Sequence, residues 1–168
     1  MMNHVRLLNR MSFFSERKRL EWYPPFWLMR VKVVRLAEDW SEICLRLPLN
    51  RVSANAAGNM YGGYQASLAD PIPALACLKR FPGYRVATRH LEVAFERVGN
   101  SDLELHFDFP SHLHRKIETE LRETGRSTPC FEMKYIRLDG KACSVIRNTV
   151  AIRPAGYIGP REEEGSGE

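Results

Sequence analysis

Apolar and polar residues alternate most cleanly in "SDLELHFDF". There Leu103, Leu105, Phe107 and Phe109 fall on one side and Glu104, His106 and Asp108 on the other. That is the two-residue period of a half-buried strand. "RVKVVRLAEDWSEICLRLPL" predicts two strands around a turn at Glu38-Asp39, and in the second Ile43, Leu45 and Leu47 alternate with Glu42, Cys44 and Arg46. "YRVATRHLEVAFERV" predicts a further strand, and "PCFEMKYIRLDGKACSVIRNTVAIRP" a hairpin around Asp139-Gly140, a dipeptide suited to a tight reversal. Two stretches break this period. "YGGYQASLADPIPALACLKRF" is small or apolar on most sides, with hardly a charge before Lys79, and predicts a buried helix. "SHLHRKIETELRETG" predicts a short amphipathic helix with Leu113, Ile117 and Leu121 as its stripe, Ser111 as its cap and Gly125 closing it.

The predicted order is β-β, one central helix, β-β, a small helix, β-β, with no internal repeat. An antiparallel sheet wrapped around one long apolar helix is an α+β architecture. Ahead of it, "EWYPPFWLM" reads as an extended connector whose rings need covering. The expected organisation is a helical and aromatic arm over 1–27, the main domain over 28–153, and a solvated, disordered tail over 154–168. The first twenty residues read as a docking helix with Val5, Leu8, Met11 and Ser15 along one side. Their arginines also leave an organelle transit peptide open.

Composition narrows the class without choosing a function. At 168 residues and 44% hydrophobic, the chain suits one folded domain and excludes a disordered one. Cys44, Cys77, Cys130 and Cys143 are scattered, which argues against a zinc site or redox motif and fits buried thiols in a reducing cytoplasm. No apolar run approaches the ~20 residues of a membrane span. The net charge of +5 permits an acidic partner, yet no nucleic-acid motif accompanies it.

The candidate chemistry lies in "NAAGNMYGGYQASLAD". Gly62 and Gly63 stand where the central helix should begin, and unpaired N–H groups and the positive end of the helix dipole collect there. Without a Cβ, the backbone can approach a ligand such as the developing oxyanion of a thioester under attack. Asp70 lies two turns on, ~12 Å up the axis at 1.5 Å per residue, so an oxyanion at Gly62 is out of its own chain's reach. Asp70 also reads as the N-cap of a second helical piece opened by Pro71. His112 and His114 project apart on their helix, cannot share a metal and read as exposed. His90 and His106 have no visible partner. Lys79, Arg80, Arg85 and Arg89 cluster at the helix exit, either as solvated charge or as a grip on phosphates.

The pattern "N-x-x-G-x-x-x-G-G" followed by "x-x-x-x-L-A-D", with the later "FERVG", resembles the hotdog-fold thioesterases of the phenylacetate-pathway (PaaI) type over roughly residues 28–153. It looks closest to an uncharacterised, thioesterase-like branch. The resemblance implies a hotdog fold, assembly into homodimers or homotetramers, and hydrolysis of acyl-coenzyme A thioesters with no metal or redox cofactor. It implies Asp70 as the carboxylate that activates water and Gly62 as the N–H donor to the carbonyl. Asn55 would orient the reacting groups, and Thr88 would place the water. Gly63, Tyr61, Arg85 and Arg89 would contact substrate. The chain departs from the pattern at Tyr61 and Ala57, where histidine is usual, and at Pro71 after the carboxylate. A non-catalytic acyl-CoA or lipid-binding module on the same fold is the alternative.

Overall fold

The computed structural model describes residues 15–156. The elements are α1 (Glu16–Glu21), α2 (Pro24–Leu28), β1 (Lys32–Leu36), β2 (Glu42–Leu47), α3 (Gly62–Ala69), α4 (Pro71–Arg80), β3 (Tyr84–Phe95), β4 (Leu103–Asp108), α5 (Ser111–Thr124), β5 (Cys130–Arg137) and β6 (Ala142–Pro154). Six antiparallel strands form one sheet in the order β1-β2-β4-β5-β6-β3, with α3 and α4 against one face. This is the expected α+β hotdog arrangement. The predicted strand pairs and the Asp139-Gly140 reversal are present, with Gly140 at φ +78°.

The alternation read from β2 and β4 sets the two faces of the sheet. Ile43, Leu45, Leu47, Leu103, Leu105 and Phe107 are buried against the helices, while Glu42, Arg46, Glu104, His106 and Asp108 face outward. From β6, Ile146, Asn148, Val150 and Ile152 join the inner layer. The helix side contributes Leu68, Ala69, Ile72, Ala76 and Cys77, all fully buried. Ile117 and Leu121 of α5 close the core beside Phe107, Phe109 and Phe131.

β3 changes phase once. Tyr84, Val86 and Thr88 face the helices, then a bulge between Thr88 and His90 adds Arg89, and Leu91, Val93 and Phe95 resume the inward side. The bulge therefore carries Phe95 to the start of α3.

Three expectations about the helices are corrected. "EWYPPFWLM" is not extended: Pro24 opens α2, because a proline ring already holds the φ of a first helical turn. The helix buries Phe26 completely, but its Trp27 and Leu28, and Trp22 at the end of α1, are more than half exposed. Ser111 is the first residue of α5, which has Pro110 in the cap position and no side-chain cap bond. His114 is half-buried, stacked on Phe81 at 5.0 Å, with Nδ1 accepting from Arg80 Nε at 3.3 Å. Gly125 does close the helix, in the left-handed conformation.

Residues 15–27 are tied into the domain. Ser15 caps α1, Glu21 accepts from the Val33 N–H at 3.0 Å, and Arg17 donates to the Val33 and Val34 carbonyls. The tail expected over 154–168 starts too early, because Pro154 still belongs to β6; residues 157–168, and the docking helix expected from Val5, Leu8 and Met11, lie outside the described residues.

Candidate active site

The start of α3 is fixed by the loop before it. Ser53, almost fully buried, donates from Oγ to the Pro48 carbonyl at 2.7 Å and accepts from the Asn50 N–H at 2.8 Å. The Tyr61 N–H then donates to the Ser53 carbonyl at 2.8 Å, and the Met60 N–H to the Gly99 carbonyl at 2.7 Å. Tyr61 stays extended and places no side-chain cap on the helix. The N–H groups of Tyr64 and Gln65 fold back to the Tyr61 carbonyl, whereas those of Gly62 and Gly63 have no acceptor among the described residues. Two aligned donors remain at the positive end of α3.

At both glycines an added side chain would displace an exposed aromatic ring. A Cβ on Gly62 would lie 2.8 Å from the Phe95 ring, and one on Gly63 would lie 2.4 Å from the Tyr61 ring. The two rings, each more than half exposed, flank the helix start.

Beside Gly62 lies an open pocket of about 440 Å³, lined by Asn55, Met60, Gly62, Gln65, Phe95 and the segment over 96–99. Asn55 stands exposed at its edge. Its Oδ1 accepts from the N–H groups of Ala57 and Asn59 at 2.9 and 3.1 Å, which shapes the loop through Gly58 at φ +77°. The amide Nδ2 is the end of Asn55 left for a ligand. Gln65 is 3% exposed, and its Oε1 accepts from Ser144 Oγ at 2.6 Å. Its Nε2 is then the end available to the pocket. Sequence reading missed Gln65; the available signal was an amide inside an otherwise apolar helix, three residues and one turn after Gly62.

Asp70 occupies a different place. It joins α3 to α4 with helical dihedrals (φ −52°, ψ −55°), and its side chain makes no cap bond. The N-cap alternative is therefore not what this carboxylate does. Pro73 lacks the N–H that would meet the Ala69 carbonyl. Asn148 reaches in from β6 as a substitute, with Nδ2 3.5 Å from the Ala69 carbonyl and 2.8 Å from the Asp70 carbonyl. Thr88 Oγ1 donates to the same Asp70 carbonyl at 3.0 Å. Asn148 is fully buried and its Oδ1 has no partner, the consequence of aiming the amide at two carbonyls. The Asp70 carboxylate is half-buried and does not line the pocket at Gly62.

The structure thus brings Asn55 and Gly62 together with Gln65, and Asp70 together with Thr88, but does not join the two groups within one chain. Arg85 and Arg89 are exposed on β3. Of the other cations at the helix exit, Lys79 pairs with Glu16 at 2.5 Å and Arg80 with Asp39 at 2.6 Å.

No protein-family model and no curated protein matches the sequence. Solved structures do match. A probable thioesterase of unknown function from Pseudomonas aeruginosa is 19% identical, with a TM-score of 0.73 over 92% of this chain and 98% of that one. A thioesterase from Haemophilus influenzae is 16% identical, with a TM-score of 0.66 over 86% and 94%. A hypothetical thioesterase from Streptococcus pneumoniae, solved with coenzyme A, is 16% identical, with a TM-score of 0.56 over 74% and 86%. The chain has the hotdog fold of these thioesterases. Among the described residues, no helix is long and apolar enough to cross a membrane.

Proposed function

We propose that the protein hydrolyses acyl-coenzyme A thioesters as a homodimer, with each site built from two copies of the chain. The observation that carries this reading is the pair of unpaired N–H groups at Gly62 and Gly63, beside a pocket large enough for an acyl group. A thioester carbonyl seated there gains negative charge as water attacks, and preorganised N–H donors stabilise it. The coenzyme A bound to the Streptococcus pneumoniae neighbour supports the choice of thioester.

Asp70 of the second copy takes the proton from the attacking water. Asn55 and Gln65 orient the reacting groups through their amide donors, and Tyr61 walls the entrance. Thr88 donates its one hydroxyl hydrogen bond to the Asp70 carbonyl, so we assign it to holding the helix junction.

β3 supports the pairing. It is a twelve-residue strand at the sheet edge, hydrogen-bonded to β6 on one side. Such an edge invites a further strand. At ~3.3 Å per residue, Arg85 lies roughly 33 Å from Phe95 along the strand, too far to serve its own pocket. Antiparallel pairing of β3 with its copy carries the Arg85–Arg89 end of one chain toward the Phe95 end of the other. The same two-fold sets Asp70 beside the other copy's Gly62, and offers Arg85 and Arg89 to the coenzyme A phosphates.

Thiol release from a panel of acyl-coenzyme A esters, acetyl to long-chain and aryl, tests the reaction. Turnover of at least one ester is expected. Saturable binding without thiol release on every ester would replace hydrolysis with the acyl-CoA-binding module.

A further inference from the structure

The outer face of the sheet, away from α3 and α4, carries a side-chain cluster that the proposed hydrolysis does not use. Cys44 on β2 is registered directly opposite His106 on β4, and Glu104 precedes His106 by one strand repeat. All three side chains therefore leave the same face of adjacent strands. Cys44 Sγ lies 3.7 Å from Glu104 Oε2 and 3.8 Å from His106 Nε2, and those two atoms are 3.5 Å apart.

Three atoms so spaced form a nearly equilateral triangle. A point roughly 2.1 Å from each lies at its centre, close to the bonds zinc makes to nitrogen, oxygen and sulfur. An ion slightly above that plane would lengthen all three bonds and leave a fourth position toward solvent. Cys44 itself is buried, at 3% exposed, while the His106 and Glu104 side chains, 43% and 26% exposed, form the side from which an ion would enter.

The convergence also separates a cation site from a catalytic relay. In a relay, the nucleophile and the carboxylate meet opposite nitrogens of the imidazole. Here both Cys44 and Glu104 approach the same Nε2. Arg46 holds the other carboxylate oxygen, with Nη2 and Nε 2.9 and 3.3 Å from Glu104 Oε1, and so turns Oε2 toward the cluster. The neighbouring cations are committed elsewhere: Arg35 pairs with Glu42, and Lys134, registered opposite His106, pairs with Glu132 at 3.3 Å.

We propose that Cys44, Glu104 and His106 form a binding site for a borderline-soft divalent cation of the zinc class, completed by water. A thiolate and an imidazole in the donor set disfavour magnesium and calcium, which take oxygen ligands. On binding, the sulfur–metal bond forms as the Cys44 thiol gives its proton to solvent. The site is independent of the hydrolysis reading.

The test uses the full-length reduced protein and cobalt(II) alone as the probe. One cobalt per chain is expected, with a thiolate-to-cobalt charge-transfer band that zinc displaces. Cys44→Ser should abolish the band, while Cys130→Ser, at the exposed cysteine, should leave it intact. His106→Ala and Glu104→Gln alter partly exposed positions and carry the test if Cys44→Ser misfolds. Each should weaken binding at least about tenfold. Zinc should raise the unfolding temperature of the wild type and not of His106→Ala. No cobalt band in the wild type, a band that survives Cys44→Ser, or one lost in Cys130→Ser would overturn the site.

Discussion

The two ends of α3 are opposites. At Gly62 the backbone has donors to spare: two N–H groups point past a cap that offers them nothing. At Asp70 the backbone has the reverse problem, because Pro73 withdraws a donor and β6 and β3 must send side chains to meet the carbonyls. The first end suits a developing anion. The second end is rigidly held and leaves its carboxylate uncommitted. In the proposed reaction one chain would carry an electrophile-polarising half and a base-bearing half, two helical turns apart, and that separation is why the proposal calls for a second copy.

The sharpest way to break this comparison is to disarm the second end alone. Asp70→Asn removes the base but touches no cap bond, so the fold should persist while turnover falls by about two orders of magnitude or more. Undiminished thiol release from a folded variant would take Asp70 out of the reaction.

Joining the ends across two subunits predicts a complementation. Gly62→Val pushes a side chain into the Phe95 ring and should inactivate the homodimer, as should Asp70→Asn. Co-refolding equal amounts gives about half heterodimers, each with one intact site, and hence about a quarter of wild-type activity. Verified heterodimers as inactive as both parents would show that the sites are not shared.

The junction itself can be dissected by a double-mutant cycle. Asn148→Ala should cost about 1–3 kcal/mol in urea unfolding, because buried carbonyls lose a donor. Pro73→Ala returns an N–H to the Ala69 carbonyl, so the double variant should lose less than the sum of the singles. Strict additivity would mean that Asn148 does not stand in for the missing helical bond.

Legibility from sequence followed the range of the interactions. The strands, the Asp139-Gly140 reversal and the start of α3 at Gly62 depend on residues a few positions apart, and the alternation shows them. The brace at Asp70 depends on Asn148, seventy-eight residues away. Nothing near Asn148 marks it, because its role exists only once β6 lies beneath the helix. The Cys44 cluster is hidden for the same reason: sixty residues separate Cys44 from Glu104, and only strand register joins them. The α2 segment is ambiguous for a local reason, since proline both ends extended chain and begins helices.

The smallest effect expected lies past the far end of α4. Hydrogen bonds from Ser41 and Arg80 hold the Asp39 carboxyl down to about 2, against an ordinary 3.8. A folded value below the unfolded one stabilises the fold above pH 3.8, and the benefit fades as pH falls toward 2. Asp39 is largely solvated, so Asp39→Asn should shift acid unfolding only slightly, and the gap from wild type should close over that interval. A gap that persists below pH 2 would assign the stabilisation to another group.

Bulge geometry in β3 bears on which lengths of this chain are permissible. Arg89 is the extra residue between Thr88 and His90, so removing it leaves a regular strand in which Tyr84, Val86, Thr88, Leu91, Val93 and Phe95 all still point inward. Removing Leu91 instead reverses the parity of everything after it, turning Val93 and Phe95 outward. A deletion scan read by thermal unfolding should therefore find one inexpensive position, Arg89 or its neighbour His90, inside a strand otherwise intolerant of any change in count.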